Sequence, residues 1–280
     1  MSASAPAMPD LRIVPTANVI PHEEHDFQRA EPLIARIREA GSWLNPPIVA
    51  PLDQDRYVIL DGANRHYSIT RLNYPYILVQ VVNYESDEVQ LRTWHHVVSG
   101  ISWFEFLRGI RQINSIKLES VDLLYARASL ARREALAYTV LTDKRAYVMR
   151  SLDNGTAART DTLRELVDTY KRNGTLNRIN TDVISDAREM YPQAVAIVVF
   201  PHFEPAEILV AARDGLRLPP GISRHIIHGR AMRLHYPLTE FQENGESLEE
   251  KNHKLKLWVQ ERLAQRRVRY YAESSYLFDE

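Results

Sequence analysis

The sequence predicts an α+β protein. Short apolar strands alternate with amphipathic helical stretches from residue 10 onward, and the strand Tyr57–Leu60 runs straight into Asp61-Gly62-Ala63-Asn64-Arg65 and a further helix. With 280 residues, 45% of them hydrophobic, the chain can also bury a sizeable core as one large domain or two ordinary ones.

Met1 to Pro9 are small and Pro-rich and read as a disordered tail. Leu11-Arg12-Ile13-Val14 is the first strand, followed by a polar loop at His22-Glu23-Glu24-His25-Asp26. Glu31-Pro32 suits a helix start, Leu33, Ile34 and Ile37 form its apolar stripe, and Gly41 lies where a C-terminal cap belongs. Pro46–Val49 and Arg56–Leu60 read as two strands joined at Asp53-Gln54-Asp55. Tyr67, Ile69 and Leu72 then suit a helix packed on a sheet, and Ile77–Val82 the next strand. This alternation makes residues 10–100 one compact α+β unit.

Residues 101–280 read as a second, mixed α/β domain. Val121, Leu124, Tyr125 and Ala128 repeat at helical spacing, as do Leu163, Leu166, Val167 and Tyr170 behind a Thr162…Glu165 capping box. Ala135–Leu141 and Ala194–Phe200 are strand candidates, and Ser247–Gln265 reads as a charged surface helix.

Composition narrows the chemistry. The absence of cysteine excludes disulfides, thiolate nucleophiles and sulfur-ligated zinc. Thirty-five Lys and Arg against 36 Asp and Glu leave a formal charge of −1, so no global field draws in a polyanion, and DNA is a partner the sequence does not favour. No basic, apolar leader opens the chain and no apolar run is long enough for a membrane span, which points to a soluble, cytoplasmic protein.

Four stretches can carry function. At Asp61–Arg65, Gly62 permits a tight turn, the free N–H groups at the helix start attract an anion, and Arg65 can grip phosphate in bidentate fashion. The same residues also suit a helix capped by Asp61, with Arg65 in a surface ion pair. In His22–Asp26 one carboxylate can act as general base and another can help hold Mg²⁺, or the run is a solvated loop. Leu218-Pro219-Pro220-Gly221-Ile222-Ser223-Arg224-His225 is a turn that can deliver Arg224 to a carboxylate, with Arg230 a few residues beyond; otherwise Arg224 pairs with a surface acid. Trp94-His95-His96 can line a ligand pocket, but a core tryptophan beside partly exposed histidines fits the pattern better.

Taken in order, His22-Glu23-Glu24, Asn45–Val49 and Val58-Ile59-Leu60-Asp61-Gly62-Ala63-Asn64-Arg65-His66 resemble the N-terminal domain of the ParB/sulfiredoxin-like superfamily. Sulfiredoxin chemistry needs a cysteine this chain lacks, and the charge fits a partition protein poorly. Within the superfamily the chain is most similar to the free L-serine kinases. It shares their His-Glu-Glu loop, Trp-His pair, Pro-Pro…Ser-Arg-His segment and a C-terminus rich in tyrosine and acid, here Tyr270-Tyr271-Ala272-Glu273-Ser274 and Phe278-Asp279-Glu280.

The resemblance implies a Mg²⁺-dependent phosphotransferase that moves a phosphoryl group from ATP or ADP to the hydroxyl of free L-serine, giving O-phospho-L-serine, in one branch for siderophore biosynthesis. It implies Glu23 as general base, or Glu24 if the register differs by one, with Glu24 otherwise a metal ligand. It implies Asp61 as the acidic residue of the turn, Gly62, Ala63, Asn64, Arg65 and His66 as phosphate-binding, and Trp94, Ser223, Arg224 and His225 as substrate-binding, the second domain completing the serine site. Ala63-Asn64 departs from the histidine that family often carries there, and Asn64 cannot carry a proton. The rival expectation is a nucleotide-binding, ParB-like regulator without kinase activity.

Overall fold

The computed structural model describes residues 8–153 and 155–271. In chain order its elements are β1 (Asp10–Pro15), β2 (Val19–Pro21), α1 (Phe27–Ala40), β3 (Ser42–Trp43), β4 (Ile48–Pro51) and β5 (Tyr57–Asp61). Next are α2 (Ala63–Arg71), β6 (Tyr76–Val81), β7 (Val89–Thr93), β8 (His95–Ser99), α3 (Trp103–Arg111) and β9 (Ile116–Val121). Then come α4 (Leu123–Ala131), β10 (Ala137–Leu141), β11 (Ala146–Ser151), α5 (Thr156–Lys171) and β12 (Thr175–Ile179). Last among the described elements are α6 (Ile184–Met190), β13 (Ala194–Val199), α7 (Pro205–Arg213), β14 (Ser223–Ile227), β15 (Tyr236–Pro237) and α8 (Leu248–Ala264).

These elements form two compact units. The first comprises the described residues of Met1–Ile20, Asp26–Val89 and Ile227–Glu280; the second comprises Pro21–His25 and Gln90–Ile226. The sequence places a boundary near residue 100, whereas here the C-terminal segment belongs to the first unit and the short loop around Glu23 to the second.

In the first unit a five-stranded mixed sheet runs β1-β6-β4-β5-β2, with β1 antiparallel and β4 parallel to β6. Its apolar residues, among them Val49, Ile59, Ile77 and Val79, join Trp43 and Phe241 in the core, and the Trp43 indole N–H donates to the Leu78 carbonyl at 3.0 Å. Strand β1 lies at the sheet edge, where unpaired backbone groups need partners. Asn252 of α8 answers them, accepting from the Ile13 N–H at 2.9 Å and donating to the Ile13 carbonyl at 2.8 Å. Helix α8 is thus more than a charged surface helix, although its Ser247 cap stands where the sequence places it. Its Lys251 is fully buried, and its three donors meet Glu240 O, Gln242 O and Asn244 Oδ1.

Helix α1 starts at Phe27, with Pro32 inside it rather than at its start, and ends at Gly41 as expected, where φ is +60°. Local punctuation misplaced this start because a proline one turn further in is tolerated when earlier residues already hold helical geometry.

The second unit is built on an antiparallel six-stranded sheet, β12-β8-β13-β10-β11-β9, beside a β14-β7 ribbon. Two sequence readings change here. Val121 ends β9 and Asp122 caps α4, so Leu124 and Tyr125 face solvent while Ala126, Ser129 and Leu130 are buried. Thr162 is buried in the middle of α5 rather than capping it; the helix already begins at Thr156, and Leu163, Leu166, Val167 and Tyr170 form the buried stripe. Among the described residues no helix is long and apolar enough to cross a membrane.

Candidate active site

In the first unit, β5 passes its chain to α2 through Gly62, whose φ of +105° disfavours any L side chain. A Cβ there would stand 2.9 Å from Arg65 Nη2 and 3.0 Å from Pro47 Cα, so the missing side chain is what lets Arg65 fold back across the turn. Arg65 meets the Asp61 carboxylate at 2.8 Å, and Arg230 grips the same oxygen from the C-terminal segment. Burial opposes charge on Asp61, but the two guanidinium groups outweigh it and hold its pKa below the ordinary carboxylate range.

The Arg65 Nε is buried and has no hydrogen-bond partner among the described residues. Helix geometry also leaves the N–H groups of Ala63, Asn64 and Arg65 without intrahelical acceptors, the first internal bond running from His66 N–H to Gly62 O. The Asn64 Oδ1 accepts the Asp26 N–H at 2.8 Å, which turns its Nδ2 donor away from that contact, while the His66 Nε2 is bonded to the Thr16 carbonyl at 3.1 Å. A Gly62→Ala substitution is expected to cost about 1–3 kcal/mol of stability, read from the denaturant midpoint, because it combines left-handed strain with the Pro47 contact.

In the second unit the Glu23 loop is zipped to the Pro-Pro-Gly turn. Leu218 N–H donates to His22 O at 2.8 Å, and Glu24 N–H donates to Leu218 O at 2.9 Å. That register aims Glu23 into the turn, where Gly221 N–H donates to one carboxylate oxygen and the Ser223 hydroxyl to the other. His22 Nε2 lies 2.9 Å from the Ser223 oxygen, and the rings of His22 and His225 meet edge to face at 5.5 Å. Burial pushes the Glu23 pKa up to about 7, against the lowering pull of the Ser223 bond and the Arg178 charge. Glu24 instead pairs with Arg164 at 2.8 Å.

The far side of the turn rests on His96. This residue is fully buried, opposite to the partly exposed position the sequence suggests, while Trp94 is only half-buried. Strand β8 runs inside the sheet between β12 and β13 with both faces covered, and there the His96 Nε2 donates to Gly221 O at 2.9 Å and its Nδ1 takes the Tyr170 hydroxyl proton at 2.7 Å. A carbonyl can only accept, so the tautomer is fixed.

Burial lowers the His96 pKa to about 3, so folding requires the neutral ring. Its stability contribution is complete above the ordinary 6.5 and is lost as pH falls toward 3. The stability gap between wild type and His96→Gln, measured by thermal melting, should therefore narrow on acidification. Trp94 N–H donates to Ile222 O at 2.7 Å, and the Arg224 guanidinium stacks over the Trp94 ring at 4.1 Å.

No family model matches the chain. It superposes on a glutamate-to-glutamine variant of a free serine kinase in complex with AMP with a TM-score of 0.70, at 18% identity, covering 86% of this chain and 98% of that one. The fold is that of the free serine kinases. In sequence the chain is 24% identical over 274 residues to the ATP-dependent L-serine kinase SbnI of Staphylococcus aureus, covering 96% of this chain and 97% of SbnI. It is 29% identical over 89 residues to an ATP-dependent L-serine kinase of Staphylothermus marinus. That match spans 31% of this chain and about a third, 35%, of the archaeal protein.

On this serine-kinase fold, the structure gathers Glu23, Trp94, Ser223, Arg224 and His225 within one unit and Asp61 to His66 within the other. Sequence reading passed over Arg178 and the pairing of His96 with Tyr170; Tyr170 carried only a helical-stripe signal, and Arg178 is a lone arginine in a short strand. Arg230, noted only for its nearness to the Pro-Pro-Gly turn, turns out to be the second partner of Asp61. Of the tyrosine- and acid-rich terminus, Tyr270 and Tyr271 are exposed, and residues 272–280 lie outside those described.

Proposed function

We propose that this protein is a free L-serine kinase that moves the terminal phosphoryl group of ATP or ADP to the serine hydroxyl and releases O-phospho-L-serine. The observation that carries this reading is the Glu23 carboxylate, buried against Gly221 N–H and Ser223 with a pKa near 7, as a general base working at neutral pH requires. Similarity along nearly the whole chain to the ATP-dependent L-serine kinase SbnI supports it.

In this reading the unit holding Asp61–Arg65 serves the nucleotide. The α2 N-terminus and the unpartnered Arg65 Nε bind phosphate oxygens, and the Asn64 amide donates alongside them. The unit holding Glu23 serves the amino acid, with Trp94 and the Ser223-Arg224-His225 strand holding it. As the serine oxygen bonds to phosphorus, the bond from phosphorus to the departing nucleotide oxygen (ADP from ATP, AMP from ADP) breaks and the hydroxyl proton passes to Glu23. The transition state is loose, so most of the acceleration comes from positioning and charge neutralisation.

Among the described residues no group of three or more His, Asp or Glu side chains is arranged to hold a metal ion, so the residues fit Mg²⁺ only as an ion that arrives with the nucleotide. Asp61, kept ionised by its two arginines, is the carboxylate that would hold it, and Glu24 is already neutralised by Arg164. Bound there, Mg²⁺ would supply neutralisation of phosphate charge.

The test is to incubate the protein with Mg²⁺, L-serine and ATP or ADP and to look for O-phosphoserine by mass spectrometry. Product with either donor sustains the reading. Nucleotide binding without product, together with salt-dependent DNA affinity, would replace it with the regulator.

A further inference from the structure

Arg178 stands in β12 directly opposite His96 of β8, so both side chains emerge on one face of the sheet and meet the Pro-Pro-Gly turn from the same side. Its guanidinium occupies the space that a side chain at Gly221 would fill. A Cβ at that glycine would stand 2.2 Å from Arg178 Nε, 2.6 Å from Nη2 and 2.7 Å from Cζ, and Gly221 itself sits at φ +81°. Gly221 is thus held on three sides. Its N–H goes to Glu23, its carbonyl takes the His96 proton, and its bare Cα face carries Arg178.

Arg178 meets no carboxylate at ion-pair distance. Three other partly buried arginines do, Arg65 with Asp61, Arg150 with Glu119 and Arg164 with Glu24, whereas Arg224 stacks on Trp94 and Arg159 reaches the Ala135 carbonyl. Among the described residues the Arg178 side chain makes neither an ion pair nor a hydrogen bond, yet it lies close enough to Glu23 to pull against the effect of burial there. This half-buried guanidinium packs against the Gly221 backbone with no acid at ion-pair distance. Such an arrangement suits a ligand that brings the missing negative charge with it.

We propose that Arg178 is a substrate-binding residue that grips an anionic oxygen of the amino-acid substrate, a carboxylate oxygen of serine or a phosphoryl oxygen of the phosphorylated product. The assignment rests on the kinase reading above. It makes Gly221 a specificity element as well as a turn residue, since any side chain there displaces the guanidinium that reads the charge. The Arg178 charge also keeps Glu23 from being held protonated by burial alone, so one side chain both tunes the base and orients what the base acts on. Among the described residues, His22 faces Glu23 directly and His96 holds the carbonyl of the same glycine, but the charge that pulls on Glu23 is the permanent one of Arg178.

The experiment compares wild type with Arg178→Gln and Arg178→Lys, using steady-state kinetics with L-serine and L-serinamide and calorimetric binding of O-phospho-L-serine. Arg178→Gln is expected to weaken O-phospho-L-serine binding about tenfold or more, and the KM for L-serine likewise if the contact is the carboxylate, while leaving the nucleotide KM unchanged, the scale of a lost charge-assisted bond. Arg178→Lys, which keeps charge without the planar fork, should fall between the two. If the oxygen is the carboxylate, wild type prefers serine to serinamide and Arg178→Gln loses that preference. If it is the phosphoryl oxygen, the serine KM and that preference both survive and only O-phosphoserine binding weakens, whereas a carboxylate contact weakens both ligands. A folded Arg178→Gln protein, judged by its thermal midpoint, with wild-type serine KM and wild-type O-phosphoserine binding overturns the proposal. Should Arg178→Gln fail to fold, Arg178→Lys decides on the same readouts, wild-type values overturning the proposal. The calorimetric arm needs no turnover: loss of O-phosphoserine binding in the variant sustains the Arg178 assignment even if wild type makes no product, whereas wild type that binds none of the three compounds overturns both readings.

Discussion

Replacing Glu23 by glutamine is expected to lower kcat on the order of a hundredfold or more while leaving nucleotide affinity nearly unchanged, as loss of a positioned general base does. Glutamine keeps the shape and an oxygen able to accept the Gly221 N–H, and its amide can donate to the Ser223 oxygen in place of the bond it loses, so the turn should persist without the base. The wild-type pH profile supplies a second readout. Because burial raises the Glu23 pKa to about 7, kcat/KM should fall as pH drops below that value and the carboxyl becomes protonated, and Glu23→Gln should lack this limb.

Stability should move the opposite way. A folded-state value raised from 4.5 to about 7 means the folded chain binds more protons than the unfolded chain across that window, so Glu23's contribution falls as pH rises through it. Glu23→Gln should therefore melt at a higher temperature than wild type at pH 8, an advantage that disappears below pH 4.5. A variant with full turnover would remove Glu23 from the chemistry and turn attention to Glu24, despite its pairing with Arg164.

Those features that local sequence encodes were legible. A β-branched strand, one glycine and an apolar helical stripe in immediate succession specify the β5–Gly62–α2 turn, because strand, turn and helix each declare themselves within a few residues. The buried stripe of α5 was equally readable from its spacing. By contrast, Leu124 and Tyr125 show that a short apolar repeat does not say which face is buried; the Asp122 cap sets the phase of that helix, and the small residues Ala126 and Ser129 take the inner side.

Long-range pairings left no mark. Nothing near Ile13 announces that Asn252 will complete its strand, and nothing near Gly221 announces Arg178 or His96. The candidate site was therefore visible as separate pieces. The Pro-Pro-Gly turn was singled out for delivering Arg224, yet in the fold its glycine also holds Glu23, a contact made by chain 198 residues away.

Arg65→Met gives the second large expected effect, and it separates two readings that the sequence alone left open. If Arg65 is only the surface partner of Asp61, the substitution costs some stability and leaves nucleotide binding intact, since Arg230 still holds the carboxylate. The geometry argues for more. Arg65 folds across Gly62, a position only glycine can occupy without strain, and it arrives with a buried Nε that no described residue satisfies, beside the free N–H groups of the α2 start. A phosphate oxygen completes that set of donors. Removing the guanidinium should raise the nucleotide KM or Kd on the order of a hundredfold, within the range for truncating one member of a buried charged contact. Turnover at saturating nucleotide should change far less than in Glu23→Gln. Nucleotide titration of the two variants should thus give opposite patterns, affinity lost with turnover largely kept in one and turnover lost with affinity kept in the other. Wild-type nucleotide affinity in Arg65→Met would reduce this turn to a capped helix held by an ion pair.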